Sequence, residues 1–415
     1  MFMKFFHLGD LHFGKSIYGL SMLDDQRYFV EHFLDCCKRE APDAIVIAGD
    51  VYDRSAPSGD AVELLDFMLT KLADMGIPVM LVAGNHDSGQ RLSFGRSIFS
   101  KQNVHIAGTP QKVMEHVTFE NPDGFGPISF WLLPYMYPEM ISHIFEDEEI
   151  RTYEEALRHI IKVQHIDPAH RNIIISHQNV TANGKEAERG GSESMVGGVG
   201  QIDYTAYDVF DYVALGHIHS SYSVGRDAVR YAGTPICYHL SETRQKEKGF
   251  VEVVLGKKGS KAHICTRGVA PMHMMRNLVG TKEDIYDILE HDSGRNEYIG
   301  ITLTDTRTTP ESSRYLRSLL EERGSVLLEF LSSYHAFTGN VSAKKTEETA
   351  EKPLEDLFSD LYTDQCDGTP PADSEYELLQ YIGEVTRNQD SHHDLDIKDV
   401  KRVLDRAKKI GRDCV

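Results

Sequence analysis

Seven side chains with metal-binding chemistry follow five short apolar runs in this sequence. They are Asp10, His12, Asp50, Asn85, His177, His217 and His219. The stretch VMLVAGNHDS, residues 79–88, is the clearest case, because an apolar run leads directly into an amide, an imidazole and a carboxylate. A single histidine after a strand is usually structural, and a single Gly-Asp pair is usually a turn. The repetition of this arrangement along the chain favours one shared site instead.

The seven side chains offer oxygen and nitrogen donors and no thiolate. Seven donor side chains are more than one metal ion needs, so we expect two divalent ions bridged by a carboxylate. The donor types fit manganese or iron, with zinc as a further candidate, and we predict Mn²⁺. Two ions ~3.5–4 Å apart activate a water and stabilise the attacking and leaving oxygens of a phosphoryl displacement. The sequence therefore predicts a metal-dependent phosphoesterase.

His86 directly follows the ligand candidate Asn85, so its side chain is expected to point towards a substrate rather than the ions. There it could give a proton to a leaving oxygen or stabilise a charged transition state. Glycines precede four of the ligand positions and would let the backbone turn sharply beside an ion. These glycines are Gly9, Gly49, Gly84 and Gly216.

Strand and helix patterns alternate over the first two-thirds of the chain. The predicted strands that precede the ligand candidates are Met3–Leu8, Ala44–Ala48, Val79–Val82, Ile173–Ile175 and Tyr212–Leu215. The predicted helices between them are Asp24–Glu40, Asp60–Met75 and Thr152–Val163. Such alternation predicts an α/β fold whose sheets are covered by helices. The carboxyl ends of parallel strands meet at one edge, so the ligand candidates should share one rim.

The chain is expected to contain several parts, with residues 1–270 as the main domain. Residues 275–335 read as a smaller α/β unit, and the polar residues 342–352 read as a linker. Residues 353–385 contain apolar side chains at helical spacing and either fold back on the main body or bind a partner. Residues 386–415 read as a basic tail. The glycine-rich residues 181–203 lack P-loop spacing and form either a substrate-facing loop or a plain insertion.

Composition limits the function classes. The formal net charge is −20, which opposes binding to nucleic acid. No apolar run is long enough to span a bilayer, and six scattered cysteines without CxxC spacing suit a reducing cytoplasm. We therefore predict a cytoplasmic protein without a membrane partner.

The motif order D-x-H, GD, GNHD, H and GHxH resembles the calcineurin-like metallophosphoesterase superfamily. Within it, the stretches GDLHFGK, AGDVYDRSAPS, LVAGNHDS, ALGHIH and YAGTPICYHLSE resemble the SbcD nuclease subunits of SbcC–SbcD complexes. Those subunits are the bacterial relatives of the double-strand-break repair nucleases of archaea and eukaryotes. The resemblance covers Met3 to about Leu331 and extends over the helices up to Ile382. It implies a β-sandwich flanked by helices, with a smaller α/β capping domain and C-terminal helices.

The resemblance also implies roles for individual residues. Asp10, His12, Asp50 and His219 would hold one ion, and Asp50, Asn85, His177 and His217 would hold the other, with Asp50 as the bridge. His86 would be the catalytic histidine. Asp53 stands where archaeal relatives often carry another histidine. Asp53 and Asp87 are expected to contact the metal ligands without binding the ions themselves.

For the whole protein, the resemblance implies ATP-dependent double-strand exonuclease and single-strand endonuclease activity in DNA repair, recombination and replication. The helices within residues 353–385 would bind the coiled-coil root of an SbcC-like ATPase, and the capping domain, residues 275–335, would contact DNA. A homodimer would form through helices near Asp60–Met75 and Arg91–Phe99. The alternative is a small-substrate phosphatase or phosphodiesterase of the same superfamily. The third possibility is a non-catalytic scaffold. Such a protein would have lost metal ligands, whereas this sequence has all seven ligand candidates.

Overall fold

The computed structural model describes residues 2–146, 149–182, 184, 200–245, 247–291, 293–334, 359 and 376. Residue contacts divide the chain into Met1–Tyr334 and His335–Val415. The predicted linker, partner-binding helices and tail fall in the second part, outside the described residues except for 359 and 376. The first part contains all the elements discussed below.

The strands and helices of the described residues are as follows. The strands are β1 (Met3–Leu8), β2 (Ser16–Ile17), β3 (Leu20–Ser21), β4 (Ala44–Ala48), β5 (Val79–Val82), β6 (Val104–Ala107), β7 (Glu115–Phe119), β8 (Ile128–Leu133), β9 (Arg171–His177), β10 (Val180–Thr181), β11 (Ile202–Asp203), β12 (Tyr212–Gly216), β13 (Ser223–Val224), β14 (Arg226–Tyr231), β15 (Gly249–Leu255), β16 (His263–Gly268), β17 (Met274–Gly280), β18 (Glu297–Leu303) and β19 (Val326–Ser332). The α-helices are α1 (Leu23–Glu40), α2 (Gly59–Asp74), α3 (Gly89–Leu92), α4 (Arg96–Phe99), α5 (Pro138–Phe145), α6 (Tyr153–Lys162), α7 (Lys282–His291) and α8 (Pro310–Glu321). Short 3-10 helices span Ser100–Gln102, Tyr204–Tyr207 and Leu240–Arg244.

Two six-stranded sheets stack face to face. The first has the order β16-β15-β1-β4-β5-β6, and the second has the order β13-β14-β12-β9-β8-β7. Apolar side chains of both sheets fill the space between them, among them Val46, Phe130 and Ile175. This arrangement is the helix-flanked β-sandwich that the motif resemblance implied.

Helices cover the outer faces of both sheets. The side chains of α1 and α2 pack on the first sheet, and those of α5 and α6 pack on the second. A strand in this position is buried on both faces, which explains why all five residues of β4 are apolar and buried. The continuous apolar runs in the sequence are therefore the direct result of the layered packing.

Most predicted elements agree with the structure, and two do not. Arg91–Phe99 is two short helices rather than one, since Gly95 has a φ of +75° and interrupts it. The strand β17 was not predicted, because Arg276 and Asn277 interrupt its apolar residues and only Met275 of its seven residues is buried.

The smaller α/β unit is a three-stranded parallel sheet, β17-β18-β19, with α7 and α8 packed on one face. Its other face contacts the larger body. Asp25 of α1 accepts hydrogen bonds from the Tyr298 hydroxyl at 2.9 Å and the His273 Nδ1 at 3.0 Å. The boundary predicted between residues 270 and 275 stays a prediction.

Two further features bear on the sequence expectations. Among the described residues, no helix combines the length and apolar character needed to cross a membrane. Four of the six cysteines, Cys36, Cys37, Cys237 and Cys265, are free thiols. Cys366 and Cys414 lie outside the described residues.

Candidate metal centre

All seven ligand candidates lie at or just beyond the carboxyl ends of five strands. Three of these strands, β1, β4 and β5, belong to the first sheet, and β9 and β12 belong to the second. The strand ends therefore come together from two stacked sheets rather than from one. The predicted shared rim exists, and it is formed where the two sheets meet.

One cluster forms around Asp10, His12 and His219, whose donor atoms lie within 4.8 Å of one another. The Nε2 atoms of His12 and His219 are 3.2 Å apart. The His12 Nε2 is also 3.7 Å from an Asp50 carboxylate oxygen. This is the first of the two predicted ligand sets.

A second cluster surrounds Asn85. Its Oδ1 atom lies 3.0 Å from the His177 Nε2 and 3.2 Å from the His217 Nδ1. The His177 Nε2 is 3.4 Å from the same Asp50 oxygen, Oδ2, that approaches His12. Asp50 therefore lies between the two clusters, which is the position that a bridging ligand requires.

Glycines make this convergence of strand ends sterically feasible. A Cβ on Gly49 would lie 2.3 Å from the His177 Nδ1, and one on Gly84 would lie 2.1 Å from an Asp50 carboxylate oxygen. A Cβ on Gly216 would lie 1.9 Å from the Ala48 carbonyl oxygen. Only glycine fits at these positions, because any side chain would occupy the space of a neighbouring backbone or ligand candidate.

Backbone strain is concentrated at the same residues. Asp10, His12, Asp50 and His217 have φ values of 52°, 45°, 47° and 105°. A non-glycine residue in this region costs about 1–3 kcal/mol, and such strain clusters at functional sites. The surrounding sandwich holds these side chains in a conformation that the local sequence alone would not favour.

Two imidazoles are oriented by hydrogen bonds on the side of the ring that faces away from the metal centre. The His177 Nδ1 lies 2.7 Å from the Ala48 carbonyl oxygen, and the His219 Nδ1 lies 3.1 Å from the Glu242 carboxylate. Since each Nδ1 meets an acceptor, Nδ1 carries the proton and Nε2 presents its lone pair to the centre. Metal-binding histidines are held in this way.

Burial and mutual charge shift the ionisation of the centre. Burial raises the pKa of Asp10 to about 7, against the opposing charge of His177. Burial would also raise the pKa of Asp50, but His177 and then His12 outweigh it and hold that pKa below its usual range. Although burial opposes it, Asp50 raises the pKa of His177 to about 9.

The donor set fits two divalent cations. Asp10, Asp50, His12, His177 and His219 are all at most 4% exposed, and burying carboxylates together is costly unless positive charge compensates. Divalent cations would compensate both carboxylates and accept the imidazole lone pairs.

His86 lies at the solvent-facing side of the centre. Its Nδ1 is 2.9 Å from the Asp53 carbonyl oxygen, its backbone N–H donates to Asp50, and its side chain is 41% exposed. Its Nε2 lies 3.9 Å from the Asp50 Oδ2, and its donor atoms also group with those of His12 and Asp50. Its catalytic role, as opposed to a ligand role, stays a prediction.

Asp87 and Asp53, the two carboxylates expected to contact the ligands, have different hydrogen-bond partners. Asp87 accepts backbone hydrogen bonds from Val51, Tyr52 and Gly84, and it therefore ties the loop after β4 to the loop after β5. Burial, followed by the charge of Asp50, raises the pKa of Asp87 to about 6. Asp53 pairs with the Lys15 ammonium at 2.6 Å, and one of its oxygens lies 3.6 Å from the His12 Nδ1.

Sequence reasoning missed Glu242. Its carboxylate is fully buried and contacts the His219 Nδ1, although 23 positions separate the two residues. The only signal was its place in YAGTPICYHLSE, a stretch that carried the family resemblance but assigned no role to the glutamate.

The arrangement suits hydrolysis of a phosphate ester. Two bound cations would supply an activated water and charge stabilisation of the phosphoryl group. The residues of the chain hold Asp50 between the two ligand clusters and keep the imidazoles of His177 and His219 in fixed orientations. His86 can present its Nε2 to an incoming ester, because the Asp53 carbonyl oxygen fixes its Nδ1. When both of its ring nitrogens are protonated, it can give the Nε2 proton to the leaving oxygen.

Known proteins are similar to parts of this chain. Two solved structures are similar to the chain: protein TT1561 of Thermus thermophilus, at 11% identity, and a dimetal phosphatase from Danio rerio, at 14% identity. Each match covers 64% of this chain, with 99% and 98% of the other chain, and each has a TM-score of 0.36. Residues 3–221 match the family of calcineurin-like phosphoesterases. Because this match spans more than half of the sequence and contains all seven ligand candidates, the chain belongs to the calcineurin-like phosphoesterase family of metal-dependent hydrolases.

Proposed function

We propose that the chain is the DNA nuclease subunit of an SbcC–SbcD-type complex and hydrolyses DNA phosphodiester bonds with two divalent ions, Mn²⁺ by preference. The observation that carries the proposal is the additional α/β unit formed by β17–β19, α7 and α8. It begins beyond the matched residues 3–221 and packs on the 3-10 helix Leu240–Arg244, beside the metal centre. A phosphatase acting on a small ester has no need of such a unit.

The open side of the centre suits a polymeric substrate. Asn85 and His86 are both exposed, whereas Asp10, His12 and His177 are buried behind them. A phosphodiester within a long chain could therefore reach His86 without being enclosed. This favours a nuclease over an enzyme that closes around a small molecule.

Charge limits how tightly the chain alone can hold DNA. The net charge of −20 repels a polyanion, and bound cations would offset this only at the centre. Arg314 and Arg317 of α8 are exposed and offer local positive charge. We propose that an SbcC-like ATPase supplies much of the DNA affinity and binds residues 353–385.

An exposed apolar patch supports the proposed homodimer. Phe94 is 83% exposed and Ile98 is 70% exposed, and both belong to the α3–α4 segment expected at the dimer interface. Large apolar side chains that are exposed within one short segment are typical of an interaction surface. A second copy of the chain is the proposed partner of this patch.

The proposal is tested by nuclease assays with Mn²⁺ on linear duplex, hairpin and single-stranded circular DNA, with and without the ATPase partner and ATP. Hydrolysis of bis-p-nitrophenyl phosphate is measured in parallel. We expect the chain to cleave DNA and the partner to stimulate it on duplex ends. Activity confined to the small ester would favour the alternative, a small-substrate phosphodiesterase or phosphatase.

A matched pair of variants tests the role of the α/β unit. Arg314→Glu combined with Arg317→Glu should weaken DNA cleavage and leave ester hydrolysis unchanged. Arg39→Glu, an exposed change on α1, is the control and should affect neither. DNA binding by the isolated chain should be weak and should fall steeply as salt rises. Tight binding that salt does not change would contradict the proposal.

A further inference from the structure

One five-residue 3-10 helix, Leu240–Arg244, connects the metal centre to the smaller α/β unit. Glu242 on this helix contacts His219, whereas Leu240 contacts strand β18. Both side chains are at most 3% exposed. The helix therefore carries two buried contacts, one with each part of the protein.

The Glu242 carboxylate is held by several donors at once. Its Oε1 lies 3.1 Å from the His219 Nδ1. Its Oε2 accepts hydrogen bonds from the Lys248 ammonium at 2.9 Å, the Thr234 hydroxyl at 3.1 Å and the Tyr238 backbone N–H at 3.2 Å. The carboxylate is therefore fixed in place and can in turn fix the imidazole.

This contact determines which nitrogen of His219 faces the centre. Because Nδ1 donates its proton to Glu242, Nε2 keeps its lone pair and points towards His12, 3.2 Å away. A carboxylate behind a metal-binding histidine also raises the basicity of the ring. Without Glu242, the ring could rotate or adopt the other tautomer.

Leu240 fits tightly against the α/β unit. A Cβ placed on Gly300 of β18 would lie 2.3 Å from the Leu240 Cδ1 and 2.8 Å from its Cδ2. Strand β17 also contacts the same 3-10 helix. A shift of strand β18 towards the 3-10 helix at Gly300 would therefore displace Leu240 or the helix that carries it.

We propose that Glu242 is a positioning residue for His219 and that the sheet of the smaller α/β unit keeps it in place through Leu240. The unit would then determine the affinity of the ion bound by Asp10, His12 and His219, in addition to any contact with DNA. The inference rests on the same metal centre as the proposed function.

The first test is Mn²⁺ binding to the full chain, measured by equilibrium dialysis and electron paramagnetic resonance. Glu242→Gln should lower the affinity for the ion held by Asp10, His12 and His219 by about 10–100-fold, which is the usual effect of removing such a hydrogen-bond partner. The affinity for the other ion should stay unchanged. Glu252→Gln is the matched control, because this carboxylate on β15 pairs with Arg267 instead. Equal weakening of both ions, or of neither, would overturn the positioning role.

A double-variant cycle shows whether Glu242 acts through His219. His219→Ala should weaken the same ion, and adding Glu242→Gln to it should cause no further loss. Additive losses would mean that Glu242 acts elsewhere. If Glu242→Gln does not fold, Glu242→Asp keeps the charge beside Lys248 and should give a smaller loss of the same ion.

The second test concerns the contact across β18. Gly300→Ala should displace Leu240 and weaken the same ion several-fold. Gly280→Ala in the neighbouring strand is the matched control, because its Cβ would meet only ordinary contacts at 3.7 Å and beyond. Unchanged Mn²⁺ affinity in both Gly300→Ala and Leu240→Ala would overturn the role of the sheet.

These results separate the inference from the proposed function. If the wild-type chain binds two Mn²⁺ ions and Glu242→Gln binds both with unchanged affinity, the inference alone is contradicted. A wild-type chain that binds two ions and shows the effect, but cleaves no DNA with its partner, contradicts the nuclease proposal alone. A wild-type chain that binds no divalent ion contradicts both.

Discussion

The backbone of Asp53 fixes the ring of His86, with the Asp53 carbonyl oxygen 2.9 Å from the His86 Nδ1. This contact directs the His86 Nε2 towards the open side of the metal centre. Asp53 follows Asp50 by three residues, so the loop after β4 supplies both the proposed bridging carboxylate and the support for the proposed catalytic histidine.

His86→Ala should abolish phosphodiester cleavage and leave both Mn²⁺ ions bound, because a proton donor is removed and the ligand sets remain. Metal content by equilibrium dialysis and cleavage rate at saturating Mn²⁺ measure the two effects. His32→Ala, an exposed histidine on α1, is the control and should change neither. A parallel fall in metal content and rate would make His86 a ligand.

Asp50→Ala should remove both ions and all cleavage together, because its carboxylate lies between the two clusters. The same dialysis measurement applies, with a circular dichroism spectrum to show that the chain folds. Asp43→Ala, an exposed carboxylate just before β4, should keep both ions. Retention of two ions in Asp50→Ala would remove this residue from the bridging role.

Gly84→Ala should lower the free energy of unfolding by about 1–3 kcal/mol and weaken metal binding, since the added methyl group meets the Asp50 backbone and carboxylate. Urea unfolding measures the first effect. Gly59→Ala at the start of α2 meets nothing within 4 Å and should be neutral or slightly stabilising. Equal stability of the two variants would show that the site tolerates a Cβ.

His7 should make the protein less stable in acid. Burial, followed by the charge of Arg230, lowers the pKa of His7 to about 3, and the ring lies between the Tyr212 hydroxyl and the Leu215 carbonyl oxygen. Between the unfolded value of 6.5 and the folded value of about 3, the unfolded chain binds more protons. The stability contributed by neutral His7 is therefore complete above pH 6.5 and is lost as the pH falls towards 3.

The measurement for His7 is urea unfolding of metal-free protein at pH 7.5 and pH 4.5. Wild type should lose roughly 2–3 kcal/mol more than His7→Gln between these pH values, because each pKa unit corresponds to 1.36 kcal/mol. All other titrating groups are shared and cancel in the comparison. An identical loss in both proteins would show that His7 does not titrate in this way.

Replacing Phe94 and Ile98 together by serine should dissociate the proposed homodimer without loss of fold, because both side chains are largely exposed. Sedimentation equilibrium of the full chain measures the mass. Val113→Ser changes an equally exposed apolar residue outside this patch and should leave the mass unchanged. A monomeric wild type would contradict the dimer, and a dimeric double variant would exclude this patch.

The sequence by itself determined the strands that lead to the ligand candidates and the types of those ligands. The strands β1, β4 and β5 occur at the predicted residues, because a strand buried on both faces needs a continuous apolar run, which is a local pattern. The ligand candidates follow these runs directly, so their chemistry could be assigned from residue type. The shared rim was predicted from strand direction alone.

Only the tertiary structure decided how these residues meet. The stacking of two sheets brings His177 and His219 beside Asp50 and His12, and no local pattern encodes that stacking. Glu242 reaches His219 because the chain returns past the metal centre, and Leu240 meets Gly300 because a separate sheet packs there. Such contacts join residues that are distant in the sequence, and side-chain packing and hydrogen bonding in the folded protein select them.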